Sequence, residues 1–192
     1  MPPKARFTKE EIIGAGLDIL RERDISAVTA REIGKALGSS ARPIFTVFEN
    51  MGEVLDGIEK KAREIYSAYV RQGLREEVAF RGVGQAYIRF AIEEPKLFRL
   101  LFMRKMSADI GVSKILPEID ENYPVILDSI TKLYPGSEED AVMLYRHLWI
   151  YSHGIATLCV SSMCRFAPEE IGEMLTEVFK SLIIVRLKGR ST

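Results

Sequence analysis

Residues 29–48 read TAREIGKALGSSARPIFTVF, and the residue types in this segment predict two short helices joined by a tight turn. Thr29 stands as an N-cap, with Glu32 three residues later in the position of a capping box. Two helices that cross steeply need a small residue at their contact, which Gly34 supplies. Gly38 permits the turn, because glycine adopts positive φ at little cost. The segment is therefore typical of a helix-turn-helix.

The second half of this segment predicts a third helix with two distinct faces. Ser40 is expected to cap it, and Pro43 falls in the first turn, where its missing N–H costs little. The spacing i, i+3, i+4 turns three apolar residues inward, namely Ile44, Val47 and Phe48. The opposite face carries Arg42, Phe45, Thr46 and Glu49. An outward face of this kind is expected to enter a major groove.

A helix and a basic arm are predicted before this segment. Thr8 and Glu11 form a capping box, and the apolar periodicity behind it continues to about Arg23. Lys4 and Arg6 precede the first acidic residue, so the arm could reach phosphates or a minor groove. The alternative, a solvated tail, stays open.

The remainder of the chain shows helical periodicity without a convincing strand. Asn50 opens a long helix, Glu94 and Pro95 break the pattern, and Pro168 starts a last amphipathic helix. The sequence predicts an all-α protein of about nine helices. Residues 1–49 are expected to form a three-helix helix-turn-helix domain, and residues 50–192 a larger helical domain.

Composition excludes several classes of protein. Basic and acidic residues number 27 each, so any attraction to nucleic acid must be local. Cys159 and Cys164 have neither zinc-ligand nor Cys-x-x-Cys spacing, which predicts no metal, no cofactor and a reducing, cytoplasmic location. The longest apolar run, residues 148–160, is too short to span a membrane. The common nucleophile, phosphate-loop and zinc-protease motifs are missing, so an enzyme is not predicted.

Residues from about Phe7 to Leu55 resemble the DNA-binding region of the TetR family of regulators. The resemblance rests on the Thr-capped helix, the Gly-Ser-Ser turn, the Ile-Phe-x-x-Phe helix and the Asn-x-x-Glu-Val-Leu that follows. The segment from Trp149 to Ala156 also resembles a pattern in the ligand-binding domains of this family. The resemblance implies a dimeric, ligand-responsive regulator of transcription that acts as a repressor.

When the roles of the family's residues are carried over to the matching positions of this chain, the resemblance implies contacts with double-stranded DNA. Thr29 and Ser40 are expected to contact phosphates, and Arg42 to read a guanine edge. Together with the arm, the predicted DNA-binding residues are Lys4, Arg6, Thr29, Ser39, Ser40, Arg42, Pro43, Phe45 and Thr46. The chain departs from the family where Phe45 replaces Tyr, Pro43 replaces Thr and Met51 replaces Lys, which leaves the operator sequence and affinity open.

The larger domain is rich in aromatic residues and methionine, which form cores but also line sites for apolar ligands. A small apolar or amphipathic ligand is expected. The predicted ligand-binding residues are Phe90, Phe98, Phe102, Met106, Tyr123, Tyr145, Trp149 and His153. For His153 the alternative of an ordinary core or interface histidine stays open.

The resemblance further implies that the last two helices, about 137–165 and 168–186, pair with their copies in a homodimer. The predicted interface residues are Leu158, Ser162, Met174, Val178, Phe179 and Leu182. Ligand binding is then expected to favour a spacing of the two heads that mismatches a near-palindromic operator and to relieve repression. The competing hypothesis is a helical small-molecule or partner-binding protein with a vestigial DNA-binding head, which Phe45, Met51 and the neutral charge favour.

Overall fold

The computed structural model describes residues 6–105, 111, 114–134 and 136–188. These ranges contain helices and no strand, so the predicted all-α class and the count of about nine helices are confirmed. The helices are α1 (Lys9–Glu22), α2 (Ala30–Ala36), α3 (Met51–Gly73), α4 (Ala79–Glu93), α5 (Pro95–Phe102), α6 (Ile115–Ile119), α7 (Tyr123–Leu133), α8 (Glu138–Val160) and α9 (Pro168–Lys188). Two short 3-10 helices cover Ile25–Ala27 and Arg42–Thr46.

The chain forms two compact units. Of the described residues, the first contains 6–65 together with 94–104, and the second contains 66–93, 105, 111, 114–134 and 136–188. These are units of packing. The functional division at residues 49 and 50 stays a prediction.

In the first unit, α1 begins as its sequence predicts. The Thr8 hydroxyl accepts a hydrogen bond from the Glu11 N–H at 3.1 Å, and the Glu11 carboxylate accepts one from the Thr8 N–H at 2.7 Å. Two of the donors that every helix leaves open at its N-terminus are therefore satisfied. The apolar face of α1 then buries Ile12 and Leu20 completely or almost completely.

The cap of α2 differs from the cap of α1 in one respect. The Thr29 hydroxyl accepts from the Glu32 N–H at 3.2 Å, as predicted. The Glu32 carboxylate instead forms an ion pair of 2.9 Å with Arg23. This pair ties the start of α2 to the end of α1 and neutralises a carboxylate close to the turn.

The turn after α2 depends on two glycines. A Cβ on Gly34 would lie 2.7 Å from the backbone carbonyl carbon and oxygen of Ser40, so only glycine fits there without a shift. Gly38 has a φ of +64°, in the left-handed region that glycine adopts readily.

The third helix of the predicted motif is a 3-10 helix of five residues rather than an α-helix. Ala41 occupies its cap position and no side chain caps it, so the predicted cap at Ser40 is wrong. Pro43 does lie in the first turn, as expected. The backbone turn starts one residue later than the sequence pattern indicates, which leaves the Ser40 side chain exposed.

The long α3 begins directly after Asn50, the residue predicted to open it. Its side-chain oxygen accepts from the Glu53 N–H at 3.1 Å, while the Glu53 carboxylate accepts from the Glu49 N–H at 2.9 Å. Later in the first unit, α5 packs against α1. Arg21 fixes this contact by donating two hydrogen bonds to the Glu94 carboxylate, at 2.6 and 2.9 Å.

In the second unit, α4 packs against α7, α8 and α9. The end of α3 approaches α4 closely, because a Cβ on Gly73 would lie 2.5 Å from the Gly82 carbonyl oxygen. Helix α8 is capped by Ser137, whose hydroxyl accepts from the Asp140 N–H at 3.2 Å, but it ends at Val160, earlier than the predicted residue 165. Ser162 follows in a left-handed conformation with a φ of 60°, which a continuing helix could not accommodate.

Candidate functional site

The face of the 3-10 helix after the Gly38 turn is the first candidate site. Ile44 is fully buried beneath it, and Phe48 is also buried, whereas Phe45 is 47% exposed. Arg42 and Thr46 are exposed beside Phe45. The predicted inward and outward faces of this segment are therefore found, although Val47 is only half-buried. We call Arg42, Phe45 and Thr46 the outward face.

A shallow open depression lies at the turn before the outward face. Its lining combines two exposed cations, Arg31 and Lys35, with the Ser39 and Ser40 side chains and two small residues. No carboxylate lines it. Cations, hydroxyls and backbone N–H groups are the groups that contact phosphates in nucleic-acid complexes. The sequence prediction omitted Arg31 and Lys35, although their i, i+4 spacing on α2 places both on one outward side of that helix.

Of the other predicted DNA-binding residues, Lys4 lies outside the described residues. Arg6 is exposed, with its guanidinium carbon 5.3 Å from the centroid of the Phe7 ring. The Thr29 hydroxyl is occupied as the cap of α2, and the Thr46 hydroxyl donates to the Pro43 carbonyl at 2.7 Å. Both hydroxyls still lie on exposed residues.

A cavity of about 570 Å³ in the second unit is the second candidate site. Its buried floor consists of Tyr66, Tyr87, Tyr145, Leu148, Ser152 and Leu175, each 3% exposed. Its more exposed rim includes Leu133, Lys180 and Ile184. Most of the wall is apolar, and the volume falls within the range of about 300–1,000 Å³ that is usual for small-molecule sites.

Helices α4, α8 and α9 contact one another beside the cavity. The Phe80 ring on α4 contacts Tyr145 on α8 and Phe179 on α9, with ring centroids 6.1 and 5.9 Å apart. A Cβ on Gly84 would lie 3.1 Å from the Leu175 side chain. These rings pack beside the cavity, and Gly84 lets the Leu175 side chain approach α4 closely.

The polar groups at the floor are held in protonated or hydrogen-bonded form. Burial, with a smaller contribution from the Asp120 carboxylate, raises the pKa of Tyr66, Tyr87 and Tyr145 well above the usual value of a phenol. The three phenols are therefore neutral at physiological pH. Tyr87 is also hydrogen-bonded to Nδ1 of His153, at 2.9 Å.

A buried carboxylate lies behind the floor. Asp120, 2% exposed, accepts hydrogen bonds from the Tyr66 hydroxyl at 2.8 Å and from the N–H and side-chain amide of Asn122 at 2.9 and 3.0 Å. Burial raises the pKa of Asp120, and these hydrogen bonds oppose the rise. Sequence analysis missed this residue, since a single Asp between two short helices carries no distinctive pattern.

Of the eight predicted ligand-binding residues, Tyr145 and Trp149 line the cavity. His153 lies against it, because its ring stacks on Trp149 with centroids 5.0 Å apart. Tyr123 stacks on Tyr145 at 5.4 Å but does not line the cavity. Burial lowers the pKa of His153, which favours the neutral imidazole.

The remaining predicted ligand residues lie elsewhere. Phe90 is fully buried against the rings of Tyr66 and Tyr69, each 5.3 Å away. Phe98 and Phe102 belong to α5 in the first unit and contact each other at 5.4 Å. Met106 lies outside the described residues. Helical spacing predicts that these apolar side chains face inward, but it does not distinguish a ring packed in the core from one that lines a cavity.

The predicted interface residues on α8 and α9 also differ in their placement. Leu158, Met174, Val178 and Leu182 are half-buried. Phe179 lines the cavity and contacts Phe80, so its ring already has neighbours within the chain. Ser162 is exposed in the turn after α8. Three large apolar residues of these helices are exposed, Ile150 at 46%, Ile184 at 51% and Val185 at 69%.

Among the described residues, no group of three or more His, Cys, Asp or Glu residues is placed to hold a metal ion. The described helices also include none that is both long enough and apolar enough to cross a membrane.

Comparison with known proteins gives one family and several similar folds. The sequence profile described as "Tetracyclin repressor-like, C-terminal domain" matches residues 80–182, which is more than half of the chain. No curated protein matches the chain in sequence.

Two solved structures illustrate the likeness in fold. A protein with unknown function from Rhodococcus sp. RHA1 is 18% identical, with a TM-score of 0.69 over 94% of this chain and 95% of that one. The fatty acid degradation regulator FadR from Bacillus halodurans is 15% identical, with a TM-score of 0.54 over 91% and 93% of the two chains. At these identities the likeness concerns the fold alone.

Proposed function

The chain belongs to the tetracyclin repressor-like family of transcription regulators, and from this premise we propose that it represses transcription by binding a near-palindromic operator as a homodimer. A small amphipathic ligand in the cavity of the second unit releases the operator. The observation that carries this proposal is the outward face, in which Arg42, Phe45 and Thr46 are exposed above the buried Ile44.

The outward face supplies groups suited to reading a major groove. Arginine donates two hydrogen bonds to the edge of guanine, and an apolar ring such as Phe45 can contact a thymine methyl. The neighbouring depression, with Arg31 and Lys35, supplies charge for phosphates. Contacts to phosphates would position the motif, and Arg42 would give it sequence preference.

A dimer is supported by the exposed apolar residues of α8 and α9. Ile150 and Val185 are large, apolar and exposed, and the half-buried Leu182 and Val178 lie on α9 three and seven residues before Val185, on the same side of the helix. A second copy that covers these residues would remove apolar surface from water. Two-fold pairing would also present two outward faces to successive major grooves, roughly 34–36 Å apart or a multiple of that distance.

Regulation requires a ligand that distinguishes two states of the dimer. A ligand with a higher affinity for the state that does not bind DNA lowers operator affinity by the ratio of its two affinities. Reciprocity then requires that operator DNA weaken ligand binding by the same factor.

The experiment that tests this function is selection of bound sequences from random duplex DNA, followed by titration at several salt concentrations. We expect an enriched sequence with two-fold symmetry and a steep loss of affinity with salt, because phosphate contacts release counterions. Failure to enrich any sequence, with weak binding that hardly depends on salt, would instead favour a helical ligand-binding or partner-binding protein whose head has lost DNA binding.

A further inference from the structure

The cavity of the second unit is not uniformly apolar. Among the described side chains that line it, the charged ones are Arg81 on α4 and Lys180 on α9, and both are cationic. None of the lining side chains is a carboxylate. Neither cation forms an ion pair with a described carboxylate within 4.0 Å. Both positive charges are therefore available to a bound molecule.

The two cations come from helices α4 and α9, which contact each other beside the cavity. Arg81 follows Phe80 on α4, and Lys180 follows Phe179 on α9. The rings of Phe80 and Phe179 are 5.9 Å apart, which fixes the register of these two helices. Lys180 is exposed and Arg81 is half-buried, whereas the floor residues are almost fully buried. The positive charge is thus concentrated away from the floor, toward the rim.

Arg81 also carries a donor without an acceptor. Its Nε atom is buried and has no hydrogen-bond partner among the described residues. A buried donor that lacks a partner is destabilising, and native proteins contain few of them. A ligand oxygen beside Arg81 would pair with the guanidinium charge, and the buried Nε–H would become reachable only if this side chain shifted.

A buried carboxyl group lies behind the floor of the cavity. The Asp120 carboxylate lies behind the floor and accepts the hydrogen bond of Tyr66, which itself lines the cavity. A negative ligand group is therefore repelled from the floor and attracted to Arg81 and Lys180. The floor is lined mainly by aromatic and aliphatic side chains, among which the Tyr145 hydroxyl and Trp149 Nε1 have no hydrogen-bond partner among the described residues, and it accepts an uncharged, largely apolar body.

We propose that the cavity binds an amphipathic organic anion, with its apolar body against the aromatic floor and its carboxylate or equivalent acidic group held by Arg81 and Lys180. This proposal rests on the proposed function in one respect only, that the cavity is the ligand site of the regulator. It adds the charge and the orientation of the ligand.

The intrinsic fluorescence of Trp149 tests the proposal directly, because Trp149 lines the cavity and is the single tryptophan of the chain. Three probes share one apolar chain and differ in the head group: decanoate, decanol and decyltrimethylammonium. Titration of the full-length protein with each probe gives three dissociation constants. We expect decanoate to bind about ten- to a hundredfold more tightly than decanol, the ratio typical of a charge-assisted hydrogen bond.

Replacement of both cations by methionine, which keeps an unbranched apolar stem and removes the charge, should bring the decanoate-to-decanol ratio to about one. The exposed Arg165 is not a lining residue, so Arg165→Met is the matched control and should keep the ratio. Lys180→Met alone, at an exposed position, gives a partial loss and serves if the double variant does not fold.

Three results would overturn the proposal: equal affinity for decanoate and decanol, tightest binding of the cationic probe, or no fluorescence response to any probe. Retention of the ratio in the double variant would also remove Arg81 and Lys180 from the site. The titration contains no DNA, so its failure is distinct from a failure of operator binding, which the DNA selection measures separately.

Discussion

The Tyr87 hydroxyl lies 2.9 Å from Nδ1 of His153, in a hydrogen bond that joins α4 to α8. Burial lowers the pKa of His153 below its ordinary value of 6.5. The unfolded chain therefore binds more protons at this residue than the folded chain does in the window just below that value. Stability that depends on neutral His153 is present above the unfolded pKa and is lost as the pH falls toward the folded pKa.

The first prediction concerns this pH dependence. Between about pH 7.5 and pH 5 the free energy of unfolding should fall, and His153→Gln should make that fall shallower. Urea unfolding at a series of pH values measures both slopes. His147→Gln, at an exposed position of the same helix, is the control and should retain the slope of the wild type. Identical slopes for all three proteins would show that His153 does not contribute.

The second prediction concerns Arg42. Because its side chain is exposed, Arg42→Ala should leave thermal unfolding unchanged. It should lower the affinity for a selected operator by about 1–3 kcal/mol and relax the preference at one base pair of each half-site. A mobility-shift titration at fixed salt measures the affinity. Arg75→Ala, an exposed residue of the second unit, should bind as the wild type does; a similar loss in both variants would deny Arg42 a specific role.

The third prediction concerns the contact at Gly34. A Cβ there would meet the backbone of Ser40 and Ala41 at 2.7 and 2.9 Å, and backbone cannot move aside as a flexible side chain can. Gly34→Ala should therefore lower the free energy of unfolding by about 1–3 kcal/mol. At Gly14, in α1, an added Cβ meets nothing within 4 Å, so Gly14→Ala should raise it by up to about 1 kcal/mol. Changes of the same sign in the two variants would contradict this account.

The fourth prediction concerns Asp120. Asp120→Ala removes the acceptor of the buried Tyr66 hydroxyl and one of the two acceptors of the half-buried Asn122 amide, which should cost about 1–3 kcal/mol in denaturant unfolding. Asp120→Asn retains an acceptor and removes a buried charge, so its cost should be smaller. Asp128→Ala removes an exposed partner of Lys132 and should change stability by less than about 0.5 kcal/mol. Equal effects of the two alanine variants would contradict the role given to Asp120.

Local sequence patterns determined the secondary structure of this protein. The hydroxyls of Thr8, Thr29 and Ser137 cap the helices that they precede, since a cap involves residues only two or three positions apart. The glycine turn and the two faces of the segment after it were predictable for the same reason. The exact form of that segment was not: the choice between an α-helix and a 3-10 helix after Ser40 depends on small differences that a pattern of residue types does not contain.

The cavity was decided by tertiary structure alone. Helical periodicity indicates that Phe90 and Tyr145 both face inward, but packing places Phe90 between other rings and Tyr145 at the edge of an unfilled space. Arg81 and Lys180 lie about a hundred residues apart in the chain, and only the register of α4 against α9 brings them to one cavity. The position of a residue on its own helix follows from local geometry, whereas its neighbours on other helices depend on how whole side-chain surfaces fit together.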